Sequence, residues 1–257
     1  MTPLQDLAVL ATGFGAGIMT STVGVASLLS FPVLIAIGLP PVVANASNTV
    51  GMTPAGLSGS FGYRAELAEQ PRITATVIAT CAGGAVLGAT LLLALPPGVF
   101  EAVVPWLILF TCLLVGAQPR ISRWMRARHA ALHGDDAATR TSMSPATTFF
   151  AALTGVYGGY FGAGSGVMML AVLGLGLDVE FRILNALKTL AVMAANVVAS
   201  VIFLFVAELD WRAILLLAAG SIVGGYVGAR IGRRLNPTVL RGLIMLVGIT
   251  AAVLMLR

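Results

Sequence analysis

The chain has 257 residues, 58% of them hydrophobic and 10% charged, with a mean hydropathy of +0.97. Soluble domains carry about 25% charged residues, so this composition excludes a water-soluble globule and a disordered chain. The net charge of +5 and the pI near 9.9 come from basic residues beside apolar runs, which is a membrane orientation signal rather than a nucleic-acid surface.

The N-terminus MTPLQDLAVL carries Asp6 and no basic residue. It lacks the positive region of a signal peptide, and the first apolar stretch is expected to stay in the mature protein. Ten apolar stretches follow, at 4–20, 24–38, 42–62, 73–95, 99–117, 146–162, 166–177, 184–207, 213–231 and 238–256. About 20 apolar residues cross a bilayer core of about 30 Å. The third, fourth, fifth, eighth, ninth and tenth stretches are long enough. The first, second, sixth and seventh are shorter or broken by glycine, and read either as spans or as re-entrant half-helices.

Arginine sets the orientation. One set of loops holds Arg64, Arg72, Arg120, Arg123, Arg126, Arg128, Arg140, Arg182, Arg230, Arg233, Arg234 and Arg241, and the other holds Arg212 and Arg257. The richer side is expected to be cytoplasmic, with both termini outside. Residues 118–145 form the one long polar connection and divide a first membrane half, 1–117, from a second, 146–257. The Arg-rich start of this linker reads as an amphipathic helix on anionic headgroups or as a plain cytoplasmic connection.

Residues 140 apart carry matching letters. Gly15 matches Gly155, Gly24 matches Gly164, Asn45-Ala46 matches Asn185-Ala186, and Thr49 matches Thr189. Ser60 matches Ser200, Arg72 matches Arg212, Gly84 and Gly88 match Gly224 and Gly228, and Pro97 matches Pro237. Near 38–41 a two-residue shift improves the fit. An odd number of crossings in each half puts the second half into the membrane upside down. The expected fold is therefore an all-α integral membrane protein of two inverted repeats. Each repeat is a glycine-broken hairpin plus three transmembrane helices, an architecture common among secondary transporters.

Lys188 is the sole lysine and lies inside the eighth stretch. An ionisable group at membrane depth costs at least about 2.5–3.5 kcal/mol, so it is expected either to face a polar cavity and meet an anion or to snorkel towards the interface. Asn185, Lys188, Thr189 and Asn196 share one helical face, and Asn45, Asn48 and Thr49 repeat the pattern in the first half. These amides and hydroxyls read as oxyanion ligands or as interhelical glue. Ser21, Thr22 and Gly24 lie in the first glycine-rich break, and Gly162, Gly164 and Ser165 in the second. New helices starting at Val25 and Val167 would present free N–H groups to an anion. The alternative is close packing through small residues.

Cys81 and Cys112 sit in apolar runs and read as packing residues. His129 and His133 lie on the linker without a third ligand, and no metal or cofactor is expected. No HExxH, GxSxG or membrane-embedded carboxylate pair is present, so an enzyme is not expected.

The twin glycine-rich hairpins, the Asn-Ala-x-x-Thr helix after each, and the Gly84–Gly88 and Gly224–Gly228 helices resemble the sulfite exporter TauE/SafE family. The resemblance covers nearly the whole chain outside the linker. It implies a multi-pass inner-membrane protein that moves sulfite, organosulfonates, thiosulfate or related organic anions. It also implies a site from Ser21, Thr22 and Gly24 with Gly162, Gly164 and Ser165 at the hairpin tips. Asn45, Asn48 and Thr49 with Asn185, Lys188 and Thr189 would lie on the adjoining helices. The expected partners are a small anionic solute and membrane lipid. Export needs no coupling ion for a monovalent anion leaving a negative-inside cell. Import needs one, and a proton exchanged at Lys188 would supply it. A passive anion channel and a non-transporting membrane scaffold are the competing classes.

Overall fold

The computed structural model describes residues 2–22, 25–131, 142–231 and 237–256. These residues form helices and connecting turns, with no strand among them. In the first half they are α1 (Pro3–Thr22), α2 (Ser27–Ala36), α3 (Pro41–Gly62), the short α4 (Arg64–Ala68), α5 (Pro71–Ala94) and α6 (Pro97–Ala131). In the second half they are α7 (Pro145–Tyr160), α8 (Ser165–Gly176), α9 (Phe181–Val206), α10 (Trp211–Ile231) and α11 (Pro237–Met255). Proline opens α1, α3, α5, α6, α7 and α11, where its fixed φ suits the first turn and its missing N–H is not needed. Ser144 caps α7 by accepting from the Thr147 N–H at 3.2 Å.

Tertiary contacts sort the loops into two ends. At one end Asp6 pairs with Arg212, the Asp210 N–H donates to Ser47 at 2.9 Å, and Gln5 donates to the Ile37 carbonyl at 3.3 Å. At the other end Arg182 chelates Glu69 at 2.7 and 3.1 Å, and α8 returns to α7 where Gly176 packs on Thr147. The α1–α2 and α7–α8 segments therefore each come back to the end they left, although Gly13, Gly15 and Gly17 lie inside the unbroken α1. The second arm of each is short. At about 1.5 Å per residue, the 10 residues of α2 and the 12 of α8 reach about 15–18 Å, roughly half the apolar thickness. Helices α2 and α8 begin at Ser27 and Ser165, rather than at Val25 and Val167.

The helices pair across the halves. α1 packs chiefly on α10 and α7 on α5, while α3 packs on α9 and α10, and α9 on α3 and α5. α6 packs on α11. Exchanging elements 140 residues apart maps these pairings onto one another. Glycine makes the closest crossings: Gly17 lies on the Ser221 backbone, Gly155 on Cys81, Gly84 on Ala152 and Gly224 on Phe14, none with room for a Cβ. Ser221 is 140 residues after Cys81, but Gly155 is 138 after Gly17. The matching register before residue 38 is thus 138, pairing Gly17 rather than Gly15 with Gly155. The two-residue difference is taken up by the longer α8.

One buried cluster joins Val25, Leu28 and Phe31 beside the first break to Phe161, Ala163 and Val167 at the second. Phe31 meets Phe161 edge to face at 5.4 Å. A second cluster unites α5, α8 and α9 through Val77, Cys81, Leu170, Leu173 and Leu187. Large apolar side chains face outward on α5, α6, α10 and α11, among them Leu87, Leu113, Leu215 and Leu246, as lipid-facing surfaces do. Among the described residues, three helices are long and apolar enough to cross a membrane: Pro71–Ala94, Pro97–Met125 and Phe181–Val206. The start of the polar connection is helical, since α6 continues through Pro119 to Ala131. It is a prolongation of α6, not a separate surface helix. His129 lies on it, and His133 lies outside the described residues.

Candidate functional site

The break between α7 and α8 is held open by backbone geometry. Gly162 and Gly164 take φ of +80° and +75°, the left-handed region that only glycine enters at little cost. The turn is pinned from α6. Tyr157 donates to the Ala163 carbonyl at 2.6 Å, and Thr111 Oγ1 lies 2.8 Å from the Tyr157 hydroxyl and 3.0 Å from the same carbonyl. Ser165 then opens α8 and is buried. Behind it, Cys81, Thr154, Met169, Ala191 and Ala195 help enclose a cavity of about 10 Å³, close to the space one water needs. Both cysteines are buried free thiols.

Helix α3 carries Asn45, Asn48 and Thr49, which are 1%, 1% and 8% exposed. Asn45 Nδ2 donates to the Tyr160 carbonyl at 3.0 Å, tying α3 to the end of α7. Asn48 Oδ1 accepts from Ser30 of α2, and the Thr49 hydroxyl donates to the Asn45 carbonyl at 2.9 Å. Further along, Thr53 of α3 meets Ser200 of α9 at 2.7 Å.

Helix α9 repeats this face but leaves Asn185, Lys188, Thr189 and Asn196 partly exposed. Lys188 Nζ donates to Asn185 Oδ1 at 3.2 Å, Asn185 Nδ2 donates to the Phe181 carbonyl at 3.1 Å, and Thr189 donates to the Asn185 carbonyl at 2.8 Å. Among the described residues no carboxylate lies within ion-pair distance of Lys188. Asn196 approaches the second break, its Oδ1 3.9 Å from where a Cβ on Gly162 would sit.

Gly162, Gly164 and Ser165 thus meet Asn45 and Asn196 around the second break. Asn185, Lys188 and Thr189 form a separate group on α9. No hydrogen bond joins this group to Asn45, Asn48 or Thr49. Ser21 and Thr22 end α1, and Gly24 lies outside the described residues. Several donors expected to face a solute are engaged within the protein: Asn45 Nδ2, Asn185 Nδ2 and both threonine hydroxyls. An anion could still draw on the other Lys188 protons, the Asn48 amide and the α8 N-terminus. Ser30, Thr111 and Tyr157 were not singled out from the sequence. Ser30 and Thr111 are isolated polar letters within apolar stretches, and that was the available signal.

The model of the sulfite exporter TauE/SafE family matches residues 9–255. A probable membrane transporter protein, ORF9, of Sinorhizobium sp is 27% identical over 264 residues, covering 98% of this chain and 95% of that protein. A probable membrane transporter protein of Haemophilus influenzae is 25% identical over 244 residues, covering 93% and 90%. No solved structure matches. A chain whose described residues are helical with apolar faces turned outward, matched by the family along nearly all its length, is a multi-pass membrane transporter, and it belongs to the sulfite exporter TauE/SafE family.

Proposed function

We propose that the protein is a secondary transporter for a small anion, sulfite, an organosulfonate or a related organic anion, carried between two inverted halves, 1–117 and 146–257. Supporting this reading is the exchange of helix partners between the halves, which offers two near-equivalent arrangements for alternating access. The observation that carries the anion is Lys188. It stands seven residues into α9, about 10 Å along the helix, on a partly exposed polar face, with an amide oxygen as its hydrogen-bond partner. A buried or half-buried cation without a carboxylate draws an anionic ligand.

The Arg-rich end is cytoplasmic in this reading, with the linker 118–145 inside and both termini outside an inner membrane. An uncoupled monovalent anion then leaves the cell downhill by about 2.3 kcal/mol per 100 mV, so export is the favoured direction, and uptake requires a coupling ion. The test is anion flux in proteoliposomes, comparing sulfite, sulfonates, thiosulfate and carboxylates, with counterflow to separate a carrier from a channel. Saturable counterflow for one of these anions, lost in Lys188→Gln, is expected. Flux or current unchanged by Lys188→Gln would remove the lysine from the mechanism, and absence of flux for every anion would leave the scaffold reading.

A further inference from the structure

Asn45 and Asn185 stand 140 residues apart in matching places, and each is followed by a polar residue one helical turn later. In α9 that residue is Lys188, whose ammonium donates to Asn185 Oδ1 at 3.2 Å. In α3 it is Asn48, whose own oxygen accepts from Ser30. Asn45 Oδ1 is consequently buried with no hydrogen-bond partner, on a side chain 1% exposed. Reversing the amide offers no relief, because it would set Oδ1 against the Tyr160 carbonyl that Nδ2 now meets at 3.0 Å. The unpaired atom is an acceptor, so its missing partner is a proton donor or a cation and not an anion.

The end of α7 and the neighbouring stretch of α9 bring more oxygen of the same kind to the second break. α7 ends at Tyr160, and a helix C-terminus carries partial negative charge on its last carbonyls. Asn196 Oδ1 comes up to the neighbouring Gly162 from α9. Discontinuous helices in transporters use such C-terminal carbonyls to coordinate sodium, and oxygen donors without sulfur or imidazole suit a hard cation.

We propose that Asn45 Oδ1, Asn196 Oδ1 and the carbonyls at the end of α7 bind a monovalent cation, sodium, in the place that the Lys188 ammonium occupies against Asn185 in the other half. One half thus carries a tethered cation and the other an exchangeable one. This inference rests on the transporter reading for its role: sodium travelling with a monovalent anion makes the cycle electroneutral and frees it from the membrane potential, supplying the coupling ion that uptake requires.

The experiment uses the purified full-length protein. Its thermal midpoint is measured in sodium, potassium and choline chloride at equal ionic strength. Flux of the transported anion is then measured in proteoliposomes under an imposed sodium gradient or pH gradient. The expected result is a midpoint raised by sodium alone and flux that follows the sodium gradient. Asn45→Ala is expected to raise the half-saturating sodium concentration at least tenfold. Asn48→Lys, which places an ammonium as Lys188 does, is expected to abolish the sodium response. The wild-type comparison does not depend on either variant folding. Indifference of the wild type to sodium in both assays overturns the site. Flux that follows only the pH gradient also overturns it, and assigns coupling to protons while leaving the carrier intact. Sodium-specific stabilisation without flux of any anion supports the cation site and removes the transport reading.

Discussion

Gly88 of α5 lies so close to the Val156 carbonyl of α7 that a Cβ at position 88 would overlap it. The neighbouring Gly83, also on α5, has nothing within 4 Å of a built Cβ. Gly88→Leu should therefore force α5 and α7 apart, and overpacking of this kind costs about 1–3 kcal/mol or more. The expected outcome is a thermal midpoint in detergent lowered by several degrees, with Gly83→Leu close to wild type. Equal effects of the two substitutions would contradict the close crossing.

The turn after α7 depends on a three-way contact of Thr111, Tyr157 and the Ala163 carbonyl. Tyr157→Phe and Thr111→Val each remove one hydroxyl and should each lower stability by about 0.5–1.5 kcal/mol. Because they share one acceptor, the double variant should lose less or more than the sum, with a coupling energy of at least about 0.5 kcal/mol. Strict additivity in thermal or chemical unfolding would show that the hydroxyls act separately.

Ser142 and Glu208 are exposed on opposite ends of the helix bundle. Cys81 and Cys112 are buried, so the wild-type chain serves as a nearly unreactive background. With a membrane-impermeant maleimide on intact cells, Glu208→Cys should be labelled and Ser142→Cys should be labelled only after permeabilisation. The reverse pattern would invert the orientation inferred from arginine.

Asn48 is the amide on α3 whose donor is not engaged, while its oxygen accepts from Ser30. Asn48→Asp keeps the acceptor and replaces the donor by a group that repels anions. Anion flux should fall at least tenfold while detergent-purified protein remains monodisperse. Undiminished flux would move the solute away from α3.

Much of the candidate site was legible one residue at a time. Lys188 declared itself as an ionisable group in an apolar run, and the glycine breaks declared themselves by composition. The bond from Asn45 to Tyr160 was not legible, because it joins residues 115 positions apart and follows from how α3 crosses the end of α7. The same holds for Thr111, whose importance comes from standing opposite Ala163. The offset of 140 was visible from Asn45, Asn185 and the prolines, while the offset of 138 before residue 38 emerged only from Gly17 on Ser221 and Gly155 on Cys81.

Hydropathy and composition were sufficient to establish a helical membrane protein, and the paired letters and arginine placement pointed to two halves with a lone lysine in an apolar run. These are properties of short windows, since lipid burial and helix breaking act on a few consecutive residues. Only the tertiary structure decided that α1 pairs with α10 and α7 with α5, that α2 and α8 are short arms of 10 and 12 residues, and which amide atoms are engaged. A hydrogen bond forms or fails within a few tenths of an ångström, and helix crossings between distant segments set those distances. That is why Asn185 has a partner for its oxygen and Asn45 has none.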